Sequence, residues 1–229
     1  MTKDIAIFGA GGFGREVACL IQRINEAMAD ESVKKHQLMP SEPWNLIGFF
    51  DDNPELKGKM ISHYGPCLGG ASELNEYDRE LDVVIAVGSP NAVKKIVENI
   101  TNPKIQFPNV IHPQTKFSDR ETFQIGRGNI LQANCTMSCD VSLGDFNVLN
   151  GSVVCGHDVN IGSFNTFMPA VRVSGEVKVG DGNFFGVGSI ILQQLKIGDS
   201  VRLAAGSVLM TKPKAGNLYM GVPAKKMDF

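Results

Sequence analysis

The chain has 229 residues, 43% of them apolar and 20% charged, with a formal net charge of −2. That balance is ordinary for a folded protein and gives no electrostatic reason to expect nucleic acid or an anionic membrane as a partner. No apolar run approaches the roughly 18 residues that a membrane-spanning helix needs, and the start lacks the features of a secretory signal. Five cysteines without a C-x-x-C spacing point to reduced thiols and a cytoplasmic protein.

Asp4 to Phe8 reads as a buried strand. It runs into Gly9-Ala10-Gly11-Gly12-Phe13-Gly14 and then a helix to about Met28, with Val17, Ala18, Leu20, Ile21 and Ile24 at helical spacing. Leu46–Phe50 and Asp82–Val87 read as two further strands, Asn91–Asn99 as a helix and Ile105–Phe107 as a short fourth strand. Strands separated by helices predict a parallel sheet with helices packed on it. The polar stretch 29–45, with Pro40 and Pro43, is expected to be a helix extension and loop before the second strand.

Past Pro103, Pro108 and Pro113 the rhythm changes. An apolar residue, once a cysteine, recurs at every sixth position from Ile125 through Leu131, Met137, Leu143 and Leu149 to Leu209. Gly126, Gly144, Gly162, Gly180 and Gly198 add a period of eighteen, which reads as three flat sides per coil with a tight glycine turn at one corner. Six-residue repeats are the mark of a parallel β-helix. The position four after each anchor is small or β-branched (Asn129, Cys135, Val141, Asn147), as a second inward site requires. Five coils at the strand spacing make a prism about 24 Å tall, whose flat faces are expected to pack as a homotrimer.

Gly9-x-Gly11-x-x-Gly14 between strand and helix is a dinucleotide-type fingerprint, placing backbone and a helix N-terminus where a phosphate could approach. Asp51 and Asp52 follow the second strand, where an acid can bind ribose or a base edge or simply cap a turn. Gly88 and Ser89 follow the third strand, at the carboxyl edge where open α/β folds bind ligands. His157 is the β-helix's one histidine. It follows the inward Cys155 and the corner Gly156, so it should face outward, with Cys139 and Gly175 in the adjacent coils. An outward imidazole beside a missing side chain, with Asp158 adjacent, fits a general base, and a nearby backbone N–H fits an oxyanion donor. Cys155 points inward and reads as core. His36, His63 and His112 lie outside the repeats, so no metal site is expected.

These motifs, with Gly48-Phe49-Phe50-Asp51-Asp52-Asn53, Ile111-His112-Pro113, Gly156-His157-Asp158 and Gly221-Val222-Pro223-Ala224-Lys225, make the chain resemble hexapeptide-repeat sugar acyltransferases of the PglD/NeuD-like group. The resemblance implies a Rossmann-like α/β domain over 1–110 that binds a nucleotide sugar. It also implies a left-handed parallel β-helix over 111–229 that binds acyl-CoA and trimerises. The implied reaction moves an acetyl group from acetyl-CoA to the amine of a nucleotide-linked 4-amino-4,6-dideoxy sugar for surface glycans. His157 would be the base and Asp158 its orienter. CoA would touch Thr166, Gly175, Gly186, Val187 and Ala205, and the nucleotide sugar Gly11, Gly12, Phe13, Gly14, Asp51, Asp52, Gly88 and Ser89. The group often has histidine where this chain has Phe13 and Thr166. A hydroxyl acceptor, as in sialic acid O-acetyltransferases, stays open, as does a nicotinamide-binding domain on a structural β-helix. Asp51 lies 37 residues past Gly14, late for that last reading, which expects about 20.

Overall fold

The computed structural model describes residues 2–29 and 38–228, so the expected helix extension beyond Ala29 lies largely outside the described residues. The chain forms two compact units. The first is Met1–Gly88 with Ala92–Pro113, and the second is Ser89–Asn91 with Gln114–Phe229.

In the first unit, β1 (Lys3–Phe8), β2 (Trp44–Phe50), β3 (Cys67–Gly69), β4 (Leu81–Ile85) and β5 (Ile105–Gln106) form a wholly parallel sheet in the order β3-β2-β1-β4-β5. Helices α1 (Gly12–Met28), α2 (Ala71–Asn75) and α3 (Pro90–Asn99) occupy the crossovers. The helical spacing read in α1 is its buried stripe: Val17, Ala18, Leu20, Ile21 and Ile24 are at most 2% exposed. Strand order reverses between β1 and β4, and such a switch point opens a crevice at the carboxyl edge. The glycine loop leaves β1 there. β3 and α2 were not expected from sequence, because three and five residues among glycines and a proline carry no periodic signal.

The second unit is a three-sided parallel β-helix made of two-residue strands. One face stacks Thr136–Met137, Val154–Cys155, Arg172–Val173, Ile190–Ile191 and Val208–Leu209. A second stacks Gln124–Ile125, Ser142–Leu143, Asn160–Ile161, Lys178–Val179 and Lys196–Ile197. The third stacks Ile130–Leu131, Val148–Leu149, Thr166–Phe167, Phe184–Phe185 and Arg202–Leu203. Every anchor of the six-residue series except Ile125 is buried, as are the inward corner residues Asn129, Cys135, Val141 and Asn147. The first strand, Lys116–Phe117, precedes the regular series: Lys116 pairs with Thr136, 20 residues on rather than 18. Phe117 and Phe123 pack together in the longer turn, with ring centroids 4.7 Å apart. The antiparallel strand Ala224–Lys226 pairs with Leu218–Gly221 at the far end and covers an edge that would otherwise be open.

The glycine column plays a different part from the one expected. Gly126, Gly144, Gly162, Gly180 and Gly198 are absent from the positive-φ residues; the left-handed residue of each corner lies two positions further on. That column runs Gly128, Asn134, Asp140, Phe146, Ser152, Asp158 and onward every six residues, with φ between 54° and 68°. The glycines answer to space instead. A Cβ on Gly144 would stand 2.8 Å from the backbone of Gly162 and 2.6 Å from Ser163 Oγ, and one on Gly126 would stand 2.1 Å from Asp145 Oδ1. At Gly126, Gly144, Gly162 and Gly180 the coils stack too closely for any side chain, whereas a Cβ on Gly198 would come no nearer than 3.2 Å to Ala215.

An asparagine ladder holds the same corner. Asn129, Asn147, Asn165 and Asn183 are fully buried, and each Oδ1 accepts from the backbone N–H 18 residues later at 2.7–2.9 Å. The Nδ2 groups of Asn147, Asn165 and Asn183 donate back to the preceding Oδ1 at 2.9–3.0 Å. Replacing Asn165 by alanine leaves two buried Asn183 donors without an acceptor. The expected cost is about 2–4 kcal/mol, read as a lower urea midpoint; an unchanged midpoint would show that the ladder contributes nothing.

Candidate active site

In the first unit, the loop glycines divide into two kinds. Gly9 has φ 114°, and a Cβ there would lie 2.6 Å from the Ala86 carbonyl oxygen; a Cβ on Gly14 would lie 1.9 Å from the Gly9 oxygen. These two are required by packing between helix and sheet. Gly11, Gly12 and Gly88 are exposed, and a Cβ on Gly11 or Gly88 would meet nothing within 4 Å. Internal packing does not explain them. Gly11 is the N-cap of α1 and carries no side-chain cap, and no acidic residue stands in the first turn. Among the described residues, no side chain caps the first N–H groups of the helix. Phe13 is half-buried and Ser89 exposed.

Asp51 and Asp52 both carry structural hydrogen bonds. Asp51 accepts from Ala10 N–H at 2.8 Å and from Asn53 N–H at 3.0 Å, tying the β2 loop to the glycine loop. Asp52 Oδ1 accepts from Ala71 N–H at 2.9 Å, at the start of α2. Together they line a small cavity of about 220 Å³ with Lys57, Ser72 and Glu73. Lys57 and Glu73 meet there at 2.5 Å, and with the Gly70 N–H this holds the Glu73 carboxyl at about 2.

In the second unit, His157 is exposed at the corner between the first and second faces. Its neighbour Asp158 takes the left-handed corner conformation, φ 57°, and puts Oδ2 2.7 Å from Nδ1. That contact raises the imidazole pKa above its ordinary 6.5, chiefly through the hydrogen bond and then through the charges of Asp158 and Glu176. With Nδ1 held as the donor, Nε2 carries the lone pair. Gly175, one coil on, lies directly beside the ring: a Cβ there would be 2.6 Å from Nε2. Glu176 N–H and Ser174 N–H are bonded to carbonyls of adjacent coils, whereas Gly175 N–H has no protein acceptor among the described residues. Cys155, two residues before His157, is 1% exposed, and burial raises its thiol pKa strongly, so it is no nucleophile.

Gly186, Val187 and Ala205 share a groove of about 350 Å³ with Phe184, Leu218 and Met220. It sits at the corner between the third and first faces, not at the corner of His157. Thr166, expected beside them, is 1% exposed and presents no surface to a ligand; it is set aside as a contact. Among the described residues no three His, Cys, Asp or Glu side chains are grouped to hold a metal ion, and no helix is long and apolar enough to cross a membrane.

Residues 4–100 match the family model of the PglD N-terminal domain. No curated protein matches the sequence. Among solved structures, the acetyltransferase domain of PglB from Neisseria gonorrhoeae FA1090 is 24% identical, covers 99% of this chain and 100% of its own, and superposes with a TM-score of 0.78. A mutant of perosamine N-acetyltransferase from Caulobacter crescentus, in complex with CoA and GDP-perosamine, is 21% identical over 100% and 99% of the two chains, with a TM-score of 0.81. WeeI from Acinetobacter baumannii AYE is 23% identical over 99% and 100%, with a TM-score of 0.79. The chain thus has the fold of these structures along its length. Residues 4–100, which span most of its first unit, match the PglD N-terminal domain model, and its second unit is a parallel β-helix as in these structures.

The open ground beside Nε2 yields a sharp expectation. Gly175→Ala forces the imidazole to move, because a Cβ cannot stand 2.6 Å from Nε2. Any reaction through that nitrogen should slow by at least about tenfold while the melting temperature changes little. Unaltered turnover would show that the reaction does not pass through His157 in this position.

Proposed function

We propose that the protein transfers an acetyl group from acetyl-CoA to the amine of a nucleotide-linked amino sugar, the acceptor class being 4-amino-4,6-dideoxy sugars. The observation that carries this reading is His157, with Nδ1 on Asp158 and Nε2 open over Gly175. In the reaction, Nε2 accepts a proton as the amine nitrogen attacks the thioester carbonyl. Gly175 N–H is the candidate donor to the oxyanion that forms. When the intermediate collapses, the C–S bond breaks, the C–N bond remains, and the imidazolium returns its proton to the leaving CoA thiolate. The fold and the substrates bound by the perosamine enzyme support the two ligands. The exposed glycines at the start of α1 suit the nucleotide diphosphate.

We further place CoA along the groove of one chain's Gly186, Val187 and Ala205, with its reactive end at the Gly175 that lies beside the next chain's His157. Since that groove and His157 occupy different corners of one prism, a single chain does not bring them together. Three prisms packed side by side would set one chain's groove against the next chain's histidine. Exposed Val187, Ile190, Leu192 and Met210 give the adjoining surface an apolar character suited to such packing. A homotrimer in the cytoplasm is the assembly this reading requires.

Purified protein should release CoA thiol from acetyl-CoA only when a nucleotide amino sugar is present. The product should survive mild alkali, as an amide does and an ester does not. His157→Ala should lower turnover about 10²–10⁴-fold; near-normal turnover would remove His157 from the mechanism. The pH profile follows in sign from the raised pKa. Protonated His157 is inactive, so activity rises with pH through a midpoint above 6.5. Asp158→Asn removes the charge that raises the pKa and should move that midpoint down; a midpoint that stays put would separate Asp158 from the base.

A further inference from the structure

Resting on that reading, we infer that Arg202 sets the specificity of the apolar groove. Its guanidinium, laid on the Phe184 ring, binds a phosphate of the CoA placed there, so that the groove favours CoA thioesters over thioesters lacking the nucleotide. Arg202 is the outward residue of its two-residue strand, exposed while Leu203 beside it is buried. It pairs in register with Phe184 of the coil before and Leu218 of the strand after. The guanidinium carbon lies 5.8 Å from the centre of the Phe184 ring, within the range of a cation–π contact. That contact holds a long side chain against the wall of the groove.

The lining of the groove narrows the ligand further. Among the described residues that line it, Arg202 is the one charged side chain, and the rest, from Met168 to Met220, are apolar or glycine. No carboxylate stands in that lining, and Arg202 joins no ion pair among the described residues. Covering such a cation with an uncharged ligand strips its water and gives nothing back. A ligand with an apolar reach and an anionic group fits both features. The pantetheine arm of CoA is an uncharged chain that ends in a diphosphate, so it meets the wall and the cation in turn. A guanidinium offers a planar fork of N–H groups suited to two phosphate oxygens. The acceptor also carries a diphosphate, and the two sources are separable by titration.

The test is calorimetric titration of the full-length protein and its Arg202→Gln variant with acetyl-CoA, S-acetyl-pantetheine, UDP and GDP. Arg202→Gln should weaken acetyl-CoA about tenfold, the scale of one charge-assisted contact, and high salt should shrink the difference. The other three ligands should bind, or fail to bind, both proteins alike. Arg202→Lys keeps the charge without the planar fork and should recover part of the loss. Equal acetyl-CoA affinity in wild type and Arg202→Gln would overturn the inference and leave Arg202 as cover for the Phe184 ring alone. An equal loss for S-acetyl-pantetheine would overturn it as well, since the damage would then lie in the groove and not in a phosphate contact. A loss confined to UDP or GDP would do the same, by giving the guanidinium to the other substrate. A wild type that binds no acetyl-CoA would instead remove CoA from the groove, and the role of Arg202 with it. Binding that depends on Arg202 without acetyl transfer to any amine leaves the phosphate contact standing while the proposed reaction fails.

Discussion

The close approach of successive coils at the glycine corner sets the register for everything else in the second unit. At Gly144 and Gly162 backbones pass so near that a methyl group has no room, and the buried asparagines beside them bond from coil to coil. A one-residue slip would break the ladder and drive side chains into backbone at once. Flanking residues reinforce the lock: Asp145, Ser163, Asp181 and Asp199 each accept from a backbone N–H of the preceding coil at 2.7–3.0 Å. The eighteen-residue coil is therefore held by sterics and hydrogen bonds together.

The chemistry inherits that register. Residues eighteen apart stand over one another, so His157 is paired with Gly175 and no other residue can take its place. A Cβ on Gly156 would be 2.7 Å from Gly175 N, so the two coils meet closely here as well. The backbone of the next coil is thereby brought beside the imidazole while its side chain is missing. A rigid solenoid holds the imidazole and the Gly175 N–H in fixed relation, the preorganisation that the proposed reaction needs. The first unit works differently: its glycines leave helix N–H groups uncovered at the edge of a parallel sheet, and Asp51 braces the loop from β2.

Much of this was legible because periodicity is a long-range signal. Fifteen anchors at one spacing specify a three-sided coil, and the same arithmetic places Gly175 beside His157. What stayed hidden lacks a residue-type signature. The left-handed corners hold Asn134, Phe146, Ala170 and Glu176 alike, since the coil forces their conformation whatever the side chain. Asn129 and Asn147 could be read as small inward residues, but not as a hydrogen-bonded ladder. Glycine commonly serves turns, so the column reads as a turn in sequence; in the fold, clearance decides. Thr166 was placed by likeness of position alone, and burial removes it.

The proposed reaction turns on one imidazole, His157, whose Nε2 takes the proton of the acceptor nitrogen. The direct test is a crystal structure of the protein with CoA and a nucleotide amino sugar bound. The sugar nitrogen should lie about 3 Å from His157 Nε2, with the CoA sulfur on the opposite side of that nitrogen. An acceptor bound with its amine remote from His157, against some other base, would contradict the account.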